Sequence, residues 1–403
     1  MKGILSGMRV VEVSAFVAAP SGGLTLAQMG AEVIRIDNIG GGLDYRRWPV
    51  TNDNVSLFWR GLNKSKRSVA LNIRTPEGQD LARQIICAPG DDAGMLLTNF
   101  PPKGWLSYDE LIKQRADLIQ LTVQGDRQGG SAVDYTVNPA IGMTHITGPV
   151  NDDTPVNHVL PAWDCITGQM AVTALLAAER HRSRTGQGQH VKLALEDVAL
   201  ATMANLGFIA EAELGIKRER VGNYLFGAFG RDFVCADGVR VMIVGLTPKQ
   251  WSGLCKATGL VDEMSALAER LGLDLKQEGN RFRARSEIAE LLEPWIAARC
   301  FAEVEEAFAG HGVCWSRYQS VQEMLELYPN ASLQNPMFER INQPEVGEYM
   351  APGTPMDFEA IDRDAVESAP VLGEHTDQVL SDLLGLSSGA IGKLHDQKII
   401  ALS

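Results

Sequence analysis

The chain of 403 residues holds only six cysteines, Cys87, Cys165, Cys235, Cys255, Cys300 and Cys314, and no two stand in a C-x-x-C pair. Scattered thiols in a chain of this size exclude a disulfide framework and fit a reducing cytoplasm. The seven histidines never fall into H-x-x-x-H spacing, so no metal site is expected. No apolar run approaches the ~20 residues that cross a bilayer. The opening MKGILSGMRVVEV has neither the apolar length nor the cleavage site of a signal peptide. Positive charge is also scarce: 37 Lys and Arg against 50 Asp and Glu leave a net charge of −13. That balance argues against a nucleic-acid or anionic-membrane surface, while leaving room for a local basic pocket. Internal repeats and low-complexity tracts are absent. What remains, 45% hydrophobic and 22% charged residues over 403 positions, is the composition of an ordinary soluble globular protein with room for two domains.

The first third alternates strand and helix. MRVVEV (8–13) reads as a buried strand, SAFVAAPSGG as a loop, TLAQMG as a short helix closed by Gly30, and AEVIRID (31–37) as the next strand. SVALNI, EGQDLARQII, DAGMLLTNF and SYDELIKQRADLIQLTVQG continue the pattern. This is the signature of a Rossmann-like, doubly wound α/β sheet. Asp37 ends the second strand as a ribose-binding acid would. The first strand–helix turn, however, has no G-x-G-x-x-G, and Gly40, Gly41 and Gly42 follow the second strand instead. Dinucleotide binding is therefore not expected.

Near GNYLFGAFGRDF the texture turns to glycine and aromatics. DFVCADGVRVMIVGL (232–246) reads as a hairpin with Asp237-Gly238 at its turn, and helical segments follow. The expected organisation is a large domain over 1–225, a small α+β domain over 226–325, and a return segment over 326–403 that completes the large domain.

LPAWDCITGQMAVTALLAAERHRSRTGQGQHV holds the most informative carboxylate. Pro161 breaks what precedes it, Ile166 to Ala178 are mostly apolar helix formers, and cations followed by Gly186 end the helix. Asp164 stands at its start, where free N–H groups and the helix dipole favour an ionised carboxylate. Two readings are open: an ordinary N-cap, or a nucleophile. Cys165 has no histidine beside it in sequence and reads as packing.

The chain resembles the class III CoA transferases, the family that also contains carnitine CoA-transferases and α-methylacyl-CoA racemases. Five ordered blocks carry the resemblance: MRVVEVSAFVAAPSGGLTLAQMGAEVIRID, LNKSKRSVALNIRTPEG, LLTNFPPKGWLSYDEL, PAWDCITGQ with ERHRSRTGQGQHV, and APVLGEHTDQVL. It implies a two-domain subunit in an interlocked homodimer, with Asp164 as the catalytic carboxylate. CoA enters as part of the substrate and no separate cofactor is implied. Phe16, Val17, Ala18, Leu71, Arg74, Asn99 and Phe100 correspond to CoA-contacting segments, and Tyr135 to an active-site tyrosine. For Arg74 an exposed strand-end cation is an equal reading, and for Tyr135 a core aromatic. The racemases' G-H-x-x-x-Y segment is GGSAVDYTV here, without a histidine, which argues against racemisation. GGGLDYRRWPV, VNHVLPAWD and GNYLFGAFGRDF narrow the resemblance to a member that moves CoA between the two carboxyls of mesaconate. Such an intramolecular transfer must retain a free diacid. Arg46, Arg47, His145, His158 and Arg231 are the candidate anion contacts, each of them equally readable as a salt-bridge partner.

Overall fold

The computed structural model describes residues 3–401; the outermost residues of the expected 1–225 and 326–403 spans lie outside it. Six strands, β1 (Arg9–Val13), β2 (Glu32–Asn38), β3 (Arg67–Leu71), β4 (Met95–Thr98), β5 (Ile119–Gln124) and β6 (Gln189–Ala194), form one sheet in the order β3-β2-β1-β4-β5-β6. Every pairing in it is parallel. The strands are runs such as VVEV, VIRI and MLLT because both faces are covered, which is the usual condition of a parallel sheet. Val11, Val13, Ile34, Ile36, Val69 and Leu96 pack with the Pro76–Ile86 helix and with Val379, Leu380 and Ile391 from the C-terminal helices. Val10, Val33, Leu97 and Leu121 pack on the opposite face with the Ala18–Gln28 and Ala162–Thr185 helices.

The C-terminal segment closes the exposed edge at β3. Leu71 bridges Ile400, the Asn72 N–H donates to the Ile399 carbonyl at 2.8 Å, and the Ala70 N–H donates to Thr376 Oγ1 at 3.0 Å. A parallel edge that would otherwise present unpaired amides is thereby satisfied.

The chain divides into two compact units. One comprises Met1–Ile141, His158–Ala210 and Pro329–Ser403, and the other Gly142–Asn157 and Glu211–Tyr328. The second unit thus starts at 211 rather than 226, and it includes a short stretch from the N-terminal half. Its sheet is antiparallel, β7 (Phe229–Val234), β8 (Arg240–Gly245) and β9 (Cys314–Arg317) in that order, with Gly238 at φ 81° in the β7–β8 turn. Phe229, Phe233, Ile243, Leu254, Ile288 and Leu292 form its core. Among the described residues no helix is long and apolar enough to cross a membrane.

Candidate active site

The Ala162–Thr185 helix begins after Pro161, whose side chain can accept nothing from the first turn. A carboxylate from elsewhere takes that place. Asp134 Oδ2 accepts the Trp163 N–H at 2.7 Å and the Asp164 N–H at 3.2 Å. Asp164 is therefore the third residue of the helix and not its cap; the cap is Asp134, from the Asp134–Ala140 helix. The other oxygen of Asp134 meets His158 Nε2 at 2.5 Å. Trp163 is fixed from its far end as well, its indole N–H donating to Asn138 Oδ1 at 3.0 Å.

With its backbone held this way, the Asp164 side chain is only half-buried. Burial pushes its pKa up from 3.8 to about 6, the negative charge of Asp134 adds to the rise, and the Arg47 guanidinium opposes it. The helix start does not hold this carboxyl low, as the sequence reading expected; desolvation and a like charge outweigh the dipole. At neutral pH it is still largely ionised, by about ten to one. Burial and the same two carboxylates push the Cys165 thiol up, away from the thiolate form a nucleophile needs.

Two glycines bring this helix against the one that follows β1. A Cβ on Gly168 would stand 2.1 Å from Ser21 Oγ and 2.7 Å from the Ala18 carbonyl, and one on Gly22 would stand 3.0 Å from the Gly168 carbonyl. The backbones thus meet without side chains between them, one turn beyond Asp164. The start of the Ala162–Thr185 helix is thereby set beside the β1–helix loop, at the carboxyl ends of the strands. The strand order reverses about β1 and β4 there, which is where α/β sheets bind ligands.

Phe16 leads that loop at φ 69°, a conformation costly for a residue with a Cβ, and 42% of its surface is exposed. Three hydrogen bonds hold the loop in place. The Phe16 N–H donates to Asp44 Oδ2 at 2.9 Å, and Asn99 grips Ala15 by both groups of its amide, at 3.0 and 2.7 Å. Asp44 is itself anchored on Arg35, a fully buried guanidinium that also binds Glu12 and Asp37. Asp37 is engaged by Arg35 at 2.8 and 3.0 Å, so it is no ribose-binding acid. The Arg47 guanidinium lies between two rings, 5.6 Å from the Phe16 centroid and 5.3 Å from that of Phe58. It is an exposed cation held by stacking, with its charge felt at Asp164.

The other expected residues divide. Tyr135 is exposed, donates to the Val159 carbonyl at 2.9 Å and stands edge-on to His158 at 5.9 Å. Val17 and Ala18 are buried, so only their backbone is placed to meet a ligand. Leu71 is fully buried in the sheet core, so its side chain meets no ligand. Arg74 is exposed just past β3, and Arg46 is exposed beside Arg47. Phe100 packs on the sheet core next to Asn99. His145 and Arg231 belong to the second unit. The His145 carbonyl accepts from Arg220, and Arg231 stacks on Tyr224 and Phe233 and faces Glu293 at 3.8 Å. Asp134 was not singled out in the sequence. Its only local signal is an acid opening a short helix, and the amides it caps lie about 30 positions on.

An ionised, half-buried carboxylate with a stacked arginine nearby, at the switch point of a Rossmann-like sheet, fits nucleophilic attack on an activated acyl group. The profile of CoA-transferase family III matches residues 5–376. The 2-methylfumaryl-CoA isomerase of Chloroflexus aurantiacus is 60% identical over 403 residues, covering 100% of this chain and 98% of that protein. The succinyl-CoA:glutarate CoA-transferase of Mus musculus is 26% identical, over 97% of this chain and 88% of that protein. A CAIB/BAIF family protein from Brucella suis superposes with a TM-score of 0.76 at 24% identity, over 95% of this chain and 100% of that one, which shows the shared fold. Fold, carboxylate placement and full-length similarity lead to one assignment: this chain belongs to CoA-transferase family III.

Proposed function

We propose that the protein moves CoA between the two carboxyls of mesaconate, converting 2-methylfumaryl-CoA to 3-methylfumaryl-CoA. The observation that carries this is the 60% identity over the whole chain to an isomerase of that name. Asp164 attacks the thioester carbonyl, the C–S bond breaks, and CoA thiolate leaves with the bonding pair, giving an acyl–aspartyl anhydride. The thiolate then attacks the aspartyl carbonyl, forming an aspartyl-CoA thioester and a free dicarboxylate. The second carboxylate of the same diacid attacks in turn and the steps run in reverse. Among the expected anion contacts, Arg47 is the one whose charge acts on Asp164, and it is proposed to hold the free diacid while it turns. Phe16 to Ala18, Asn99 and Phe100, with Arg74, border the proposed CoA path along the strand ends, and Tyr135 the acyl end.

The working form is proposed to be a cytoplasmic homodimer. Six free cysteines support the compartment. Leu200, Leu206 and Ile209, all at least 39% exposed, support a surface that a second copy covers.

Purified protein incubated with the 1-CoA thioester of mesaconate, without acceptor acid, tests the reading by chromatography and mass spectrometry. The expected product is an isomeric CoA ester of unchanged mass that takes up no label from added free mesaconate. Relatives named for transfer from succinyl-CoA to a separate acid are 25–28% identical. Turnover only when another acid is supplied would replace the intramolecular reading with theirs.

A further inference from the structure

We infer that Asp134 and His158 are a positioning pair that sets the reactivity of Asp164: Asp134 holds the backbone of the attacking residue and places a fixed negative charge beside its carboxylate, and His158 moderates that charge. The inference rests on the reading of Asp164 as the attacking group.

Geometry carries it. Asp134 is 1% exposed. One of its oxygens accepts the amides of Trp163 and Asp164 at 2.7 and 3.2 Å, and the other meets His158 Nε2 at 2.5 Å. A buried carboxylate with both oxygens engaged cannot swing away. Capping alone would not need it, since a serine or threonine at 161 would serve the same amides. A cap from another helix adds a full negative charge next to Asp164. Besides Asp134, the charged group acting on Asp164 is Arg47, while Cys165 is its chain neighbour; His158 is faced by Asp134 and by the edge of Tyr135.

The charge has a chemical use. When Asp164 attacks, its negative charge passes through the tetrahedral adduct to the departing thiolate sulfur, and the anhydride left on the enzyme is neutral. Repulsion between Asp134 and Asp164 exists before attack and is gone after it. Such repulsion raises the free carboxylate relative to the acylated state and favours acylation, because only interactions that differ between ground and transition state change the rate. A more basic carboxylate is also the stronger nucleophile.

Two variants pull in opposite directions. Asp134→Asn keeps an oxygen for the two amides and removes the charge, so the acid limb of the kcat/KM profile should move below about 6, with kcat reduced. His158→Ala leaves Asp134 with one donor fewer, so the limb should move above it. A purely structural pair would lower activity with the limb unmoved. Asp134→Ala, which also removes the cap, should add a loss of thermal stability that Asp134→Asn largely avoids. An unmoved limb in both Asp134→Asn and His158→Ala, or shifts of the same sign, overturns the inference. If Asp164→Asn turns over at the parental rate, the reading of Asp164 itself fails. If Asp164→Asn is inactive and the two limbs stay put, only the role of the pair fails.

Discussion

The raised pKa of Asp164 makes a stability prediction that is independent of turnover. The folded chain holds this proton more tightly than the unfolded chain, with a pKa of about 6 against an ordinary 3.8. Stability is therefore lost as pH rises through that window, and the deficit is complete above it. At 1.36 kcal/mol per pH unit the gap corresponds to about 3 kcal/mol, a ceiling because the side chain is partly solvated. Asp164→Asn keeps the shape and the backbone bond to Asp134 while removing the titration. The variant should be more stable than the parent by up to about 3 kcal/mol at pH 8, about 1.6 at pH 5 and about 0.6 at pH 4. At about 1 °C per kcal/mol for a chain of 403 residues this is a rise in Tm of up to about 4 °C at pH 8 that fades toward pH 4. The assay is a thermal melt of both proteins across that range, alongside CoA-ester analysis in which the variant should be inactive. A variant no more stable than its parent at pH 8, or a gain that does not shrink on acidification, would refute the account of Asp164 as a desolvated carboxylate held beside Asp134. The pairing of lost activity with gained stability is the expected mark of a site strained for function.

Two further outcomes test the surroundings. Arg47→Gln removes a charged contact to the free diacid that is worth about 1.5–3 kcal/mol; label from free mesaconate should then enter the product, and continued exclusion of label would clear Arg47 of the holding role. Gly168→Ala forces a methyl to within 2.1 Å of Ser21 Oγ and 2.7 Å of the Ala18 carbonyl, so a loss of about 1–3 kcal/mol in thermal stability is expected, together with reduced kcat; an unchanged melt would show that the two helices are free to separate.

Much of this protein is legible in local sequence. Buried strands declare themselves as short apolar runs between glycines and polar turns, so VVEV, VIRI and MLLT announce a parallel sheet before any pairing is known. The helix carrying Asp164 is bounded by Pro161 and by Gly186 at φ 71°, both signals read from single residues. The absence of a phosphate-binding glycine loop excluded dinucleotides on the same local ground. Tertiary structure alone decided the rest, because those contacts join residues with no fixed spacing. Asp37 resembles a ribose ligand until the sheet sets Arg35 beside it. Leu71 reads as a strand-end residue, and only the fold shows the C-terminal segment covering its edge and burying its side chain. Asp164 resembles a cap until Asp134, 30 positions earlier, takes the amides in its place. Periodicity and turn chemistry act over a few residues and fix the elements. Electrostatics and desolvation act through space, so the chemistry of Asp164 depends on which charges the folded chain brings beside it.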